Sequence, residues 1–255
     1  MHRLPSPLSR RQRYPTQRGV ALFVVIVFVM LSMLLALWAS RTSLFNEMVV
    51  GNDADYQRAF EAAQTMLQDA EQDIRLSNES PESSALCTAG GDVCRSTTID
   101  QFPLAGEGDT VVNKLLDALS AVPAGCRSAL CIKREGSLDF WNNTDVAKGP
   151  SLAQMLNVGA RYGQYTGAKA GDKTNPANPI LADRSANKGA WYWIEVLPYD
   201  KSAETSSLIV GGATNLLPLK INPYVVYRIT ALAYGRKSGT MVTMQQTYAP
   251  VPQPD

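Results

Sequence analysis

Few side chains in this sequence could do chemistry, and the four cysteines come first. Cys87 and Cys94 form one close pair, Cys126 and Cys131 a second. Four thiols allow three connectivities. In an oxidising compartment the local bridges Cys87–Cys94 and Cys126–Cys131 are the simplest, each worth about 2 to 2.5 kcal/mol in the chain-entropy model. A zinc site is the competing use of the same thiols, but neither spacing is C-x-x-C. The single histidine, His2, lies in a basic N-terminal segment, and no imidazole follows it. Without that segment, Ser-His-Asp and Cys-His catalysis and the common His-bearing metal sites are excluded. There is no Walker loop, dinucleotide glycine fingerprint, EF-hand loop or nucleophile elbow. Asp53 and Asp55 are conceivable metal ligands, yet two residues apart on a helix they do not share a face, so they read as solvated or helix-start charges. The expectation is a non-enzymatic chain with no cofactor and no metal.

The elements around these residues explain the compartment. Residues 1–19 carry Arg3, Arg10, Arg11, Arg13 and Arg18 and no acid, so loss of this segment would take the formal charge from +1 to −4. A weakly acidic chain without a basic stripe has no electrostatic footprint for nucleic acid. From Gly19 to Ser40 runs an uncharged stretch about 33 Å long as a helix, enough to cross a hydrocarbon layer of about 30 Å. The basic residues before it place the N-terminus in the cytoplasm and the C-terminal mass outside, with Trp38 at the outer interface. The run is longer than the apolar core of a secretory signal peptide.

Helical periodicity continues beyond Arg41. Tyr56, Phe60, Ala63, Leu67, Ala70 and Ile74 fall on one face in steps of four and three, among good helix formers. This predicts a helix from Val20 to Leu76, apolar all round over 20–40 and amphipathic over 41–76, or else an anchor followed by a separate helix. Gly51 and Asn52 are its weak point, where a kink or melted turn is expected.

The junction Gln17-Arg18-Gly19-Val20-Ala21-Leu22-Phe23-Val24-Val25 resembles a type III signal sequence. Glu47-Met48-Val49-Val50-Gly51-Asn52 and Arg58-Ala59-Phe60-Glu61-Ala62-Ala63 resemble the N-terminal motif of the PilX family of type IV pilin-like proteins. The tail is similar to that family's closing strands, with Tyr227-Arg228-Ile229-Thr230-Ala231, Gly235 and Met244-Gln245-Gln246-Thr247-Tyr248. Ala160-Arg161-Tyr162-Gly163 is the one shared stretch between them. The resemblance implies a minor pilin: cleavage by prepilin peptidase between Gly19 and Val20, and N-methylation of Val20. It also implies partners among the other minor pilins and the major pilin, and a PilY-type tip adhesin. The chain would reside in the inner membrane with its head in the periplasm, then in the pilus at the cell surface, and would support twitching motility and adhesion. One departure matters. Most pilins carry Glu at the fifth mature position, where this chain has Val24, an absence shared with PilX proteins and with the K-type minor pseudopilins of type II secretion. The lack of a carboxylate to meet a neighbour's ammonium resembles a subunit at the tip or assembly-priming position. The K-type pseudopilin is the alternative reading, though such proteins usually carry a larger helical insertion.

Residues 77–255 form the expected head. Val111, Val112, Leu115, Leu116 and Leu119 predict a short helix, and 168–188 a long surface loop. Trp191–Leu197, Tyr224–Tyr234 and Thr240–Tyr248 predict strands, with Gly235-Arg236-Lys237-Ser238-Gly239 as a hairpin turn. Trp191 and Trp193 alternate with Tyr192, which predicts one core face and one partly exposed face, with the aromatics serving packing. The fold class is α+β and type IV pilin-like, a long N-terminal helix packed on an antiparallel β-sheet.

Overall fold

A computed structural model describes residues 18–78, 95, 101–103, 109–134, 139–171, 178–198 and 225–249. It divides into two units, residues 1–51 and 52–255. One helix, α1 (Arg18–Asn78), runs through both.

In the first unit every side chain of α1 from Val20 to Val50 is exposed, including Leu22, Phe23, Phe28, Leu34 and Trp38. A helix apolar on all sides and unburied is built for a solvent other than water. Two of its hydroxyls fold back on their own turns, Ser32 onto the Phe28 carbonyl at 2.7 Å and Thr42 onto that of Trp38 at 3.0 Å, so neither of these is left unsatisfied. Gly51 and Asn52 are helical. The expected melted turn is therefore absent, and Asn52 accepts from Lys237 Nζ at 3.0 Å.

In the second unit α1 packs on a five-stranded sheet. The strands are β1 (Cys126–Arg127), β2 (Leu130–Ile132), β3 (Ala190–Pro198), β4 (Val225–Tyr234) and β5 (Met241–Tyr248), and they lie in chain order. All neighbours are antiparallel except β2 and β3, which run parallel with Leu130 opposite Ile194. Short helices α2 (Asp109–Ser120), α3 (Leu152–Val158) and α4 (Pro179–Ala182) fill the connections. α2 coincides with the apolar periodicity from Val111 to Leu119. α3 starts on a capping box between Ser151 and Gln154. The segment read as a surface loop contains α4, whose Ile180 and Leu181 are buried under an Asn178 cap.

The inner core is the contact of α1 with the sheet. Ala59, Ala62, Ala63, Met66, Ala70 and Ile74 bury against Tyr192, Ile194, Tyr227, Ile229 and Ala231. Four alanines on one face bring helix backbone close to sheet, so large residues are supplied by the strands. This face is rotated from the predicted stripe: Tyr56 is 49% exposed and Phe60 half-buried. The sheet's other face is also covered. Trp191 and Trp193 are 3% and 0% exposed, in a second cluster with Cys126, Cys131, Phe140, Met155 and Leu232. The expectation that one face of β3 would be partly exposed is thus corrected. The stretch from α3 through Phe140 roofs that face, and Trp193 Nε1 donates to the Met155 carbonyl at 2.9 Å.

Candidate assembly site

Three aspartates of α1 define how the head is fastened to its helix. Asp55, Asp69 and Asp73 are 2%, 5% and 1% exposed, and each engages a different segment. Asp55 accepts the backbone N–H groups of Arg236 and Lys237 at 2.8 and 3.0 Å, which clamps the β4–β5 turn onto the start of the head helix. Burial raises its pKa, but the two amides and the Thr240 hydroxyl outweigh that and hold it below the ordinary aspartate value. The solvated role expected for Asp55 is therefore wrong. Gly235 makes the clamp possible, because a Cβ there would lie 2.3 Å from Asp55 Oδ2.

Asp69 accepts the Gly163 amide at 2.8 Å and the Thr166 hydroxyl. Desolvation dominates here and raises its pKa, with Asp73 one turn away adding to the rise. Gly163 sits at φ +70°, and a side chain there would collide with the Ala168 carbonyl. Two residues earlier, Arg161 donates to the carbonyls of Asp183, Ser185 and Lys188 and lies 3.5 Å from the Trp191 ring centroid. The stretch Ala160-Arg161-Tyr162-Gly163 is thus a structural knot, with Ala160 bridged to Tyr192.

Asp73 receives the guanidinium of Arg95 through Nε at 3.0 Å and Nη2 at 2.6 Å, and the Tyr192 hydroxyl at 2.8 Å. Arg95 lies 4.0 and 4.9 Å from the Tyr165 and Phe102 ring centroids and donates to the Ser128 carbonyl. Burial alone would lower its pKa, but Asp73 outweighs that and raises it, so the guanidinium keeps its charge. On the opposite sheet face Glu195 is gripped by Arg228, at 2.5 and 2.8 Å, and by Arg134, at 3.2 Å twice. Desolvation raises the Glu195 pKa, and these two arginines bring it below its ordinary value. These buried charges were not singled out in the sequence; Asp69 and Asp73 at i, i+4 on the helix's alanine face were the signal available.

Gly19 and Val20 lie in the first turns of α1, and Val20 and Val24 are 63% and 42% exposed. Cys126 and Cys131 are joined by a disulfide across β1 and β2. Cys87 and Cys94 lie outside the described residues. No group of three or more His, Cys, Asp or Glu able to hold a metal occurs among the described residues. Among the described residues, the buried charges Asp55, Asp69, Asp73, Arg95 and Glu195 hold segments together. What the arrangement offers is a head fixed to a helix long and apolar enough to cross a membrane, which fits a single-span anchor.

Such an apolar, then amphipathic helix with an α+β head is the arrangement of a pilin-like protein. The family model for the type IV pilus assembly protein PilX C-terminal region matches residues 83–250, and that for the PilX N-terminal region matches residues 18–68. The chain belongs to the PilX family of type IV pilus proteins, which makes it a minor pilin. No curated protein and no solved structure matches it.

Proposed function

We propose that this minor pilin is a subunit of the tip or assembly-initiation complex that primes pilus biogenesis, and that it supports twitching motility and adhesion as a structural component and not as an enzyme. It enters the inner membrane with its N-terminus cytoplasmic and its head periplasmic. Prepilin peptidase cuts between Gly19 and Val20, and Val20 is then N-methylated. Glycine supports this because it is a poor helix former, and at the start of α1 it lets the chain open into the extended form a peptidase binds. The observation that carries the tip position is Val24. Counting from Val20 it is the fifth residue, in an uncharged helical segment where no side chain can pair with a neighbour's terminal ammonium. Its partners are then the other minor pilins, the major pilin below it and a PilY-type adhesin.

Mass spectrometry of the protein from piliated cells tests the processing. The expected N-terminus is methylated Val20, about 2 kDa lighter than the full chain at ordinary residue mass. A mature chain still beginning at Met1 would remove the reading. Deletion should reduce the number of surface fibres far more than it changes their diameter.

A further inference from the structure

Among the described residues, the end of the sheet formed by β5 is an open pairing edge. Two backbone bonds fix its direction: the Tyr234 amide donates to the Gly189 carbonyl at 2.9 Å, toward β3, and the Gly235 amide to the Thr240 carbonyl at 2.9 Å, toward β5. With Ala233 opposite Val242 and Ile229 opposite Gln246, alternation turns the N–H and C=O groups of Val242, Met244, Gln246 and Tyr248 toward β4. Those of Met241, Thr243, Gln245 and Thr247 point away from the sheet. Among the described residues no strand lies on that side. Edges are ordinarily blunted by charge, proline or a bulge. β5, Met-Val-Thr-Met-Gln-Gln-Thr-Tyr, carries neither charge nor proline, and its register with β4 is unbroken. Gln245 and Thr247 are exposed, and the Thr243 hydroxyl is shielded from solvent without a hydrogen-bond partner among the described residues.

Direction decides what can pair there. β5 starts beside Asn52 and Asp55 and ends where Tyr248 meets Arg75, so it runs in the same sense as the head part of α1. An antiparallel pair of two β5 strands about a two-fold axis at Gln245 would send the Asn52 ends of the two copies in opposite directions. On the tip-complex reading both chains lead back to one bilayer, which such a pair opposes. An in-register parallel pair about an axis along the strands would set like-facing backbone groups against each other. We propose that the β5 edge accepts an antiparallel, uncharged strand from the head of a different pilus subunit, which extends the sheet across the subunit boundary. This rests on the tip-complex reading and adds the surface and the mode of contact.

The test is photocrosslinking in piliated cells of the full chain carrying a benzophenone amino acid at Gln245, with the same probe at exposed Lys133 as the control. The expected result is a Gln245 adduct with another pilin-sized subunit, at least tenfold stronger than at Lys133. Gln245→Pro removes an outward-facing N–H, at a place where an edge strand tolerates proline, together with the bond from the Gln245 side chain to Thr230 Oγ1. It should leave the melting temperature within a few degrees yet reduce fibre number to the level of the deletion strain. A Gln245→Lys and Thr247→Lys pair, which needs no backbone change, should do the same. A self-adduct alone, equal adducts at both positions, or wild-type fibre number in the Lys pair would overturn the inference. Should the deletion strain itself be normally piliated, the tip-complex reading fails instead.

Discussion

Asp55 acts through two backbone amides, so its loss should be felt in the turn it holds. Asp55→Ala leaves the Arg236 and Lys237 N–H groups without an acceptor, which costs about 1–3 kcal/mol. Urea denaturation in detergent should show that loss at neutral pH. The sign of the pH dependence follows from the shifts. Asp55 and Glu195 have folded pKa values below their ordinary 3.8 and 4.5, so their stabilisation is fully present above those values and is lost as pH falls through the lower folded ones. Asp69 runs the other way: its folded value lies above 3.8, so it subtracts stability as pH rises through that interval. Unfolding followed from pH 7 downward should therefore show a steep loss only below about pH 4, and Asp55→Ala should make that loss shallower. An unchanged acid branch in the variant would show that the clamp contributes nothing. Asp55 was misjudged in the sequence because an acid beside Asn52 and Asp53 looks solvated, and the turn that buries it lies some 180 residues away. Gly235, by contrast, was legible as part of the hairpin turn, although the carboxylate that requires a glycine there was not.

At the scale of elements, the β1–β2 hairpin concentrates strain and its remedy. Ser128 and Ala129 form a two-residue turn with φ of 51° and 66°, the left-handed pair that Asn-Gly adopts far more readily. Cys126 and Cys131 close the hairpin from the flanking positions, and Ala129 is bonded on both sides, to Val158 and Ile194. Replacing both cysteines with serine should cost about 2 kcal/mol for the lost loop closure, with more released as the turn relaxes. Adding Ser128→Asn and Ala129→Gly to that variant should restore about 1 kcal/mol, read as a shift of the urea midpoint. No recovery would mean that the disulfide is not holding a strained turn. The close spacing of these two cysteines pointed to the pair, whereas a two-residue strand closed by Ser-Ala carries no hairpin signal. The long elements were legible because each has a period: α1 through its apolar run and alanine face, β3 to β5 through β-branched and aromatic runs. What periodicity cannot report is the roof on the second sheet face, since a strand buried on both sides loses its alternation.

For the whole molecule, entry into a fibre begins in the membrane. A carboxylate at the fifth position of a processed pilin is favourable only if an ammonium of a neighbour meets it, because an unpaired charge in hydrocarbon costs several kcal/mol. Val24 makes no such demand and offers no such attraction. On the proposed tip reading, a subunit of this kind gains nothing from following another into the fibre, and its selection for assembly would come from its head, where the buried aspartates fix the sheet to the helix. Its abundance in sheared pili should be far below that of the major pilin. Val24→Glu separates the two contributions. In a subunit that stands first, the new carboxylate finds no ammonium ahead of it, so assembly should be unchanged or reduced and the variant should stay scarce in the fibre. Quantitative immunoblotting of sheared pili, with fibre counts by electron microscopy, reads both quantities. If Val24→Glu increases fibre number and spreads along the shaft, the head does not confine this subunit to the tip, and the missing carboxylate was the only barrier to its use elsewhere.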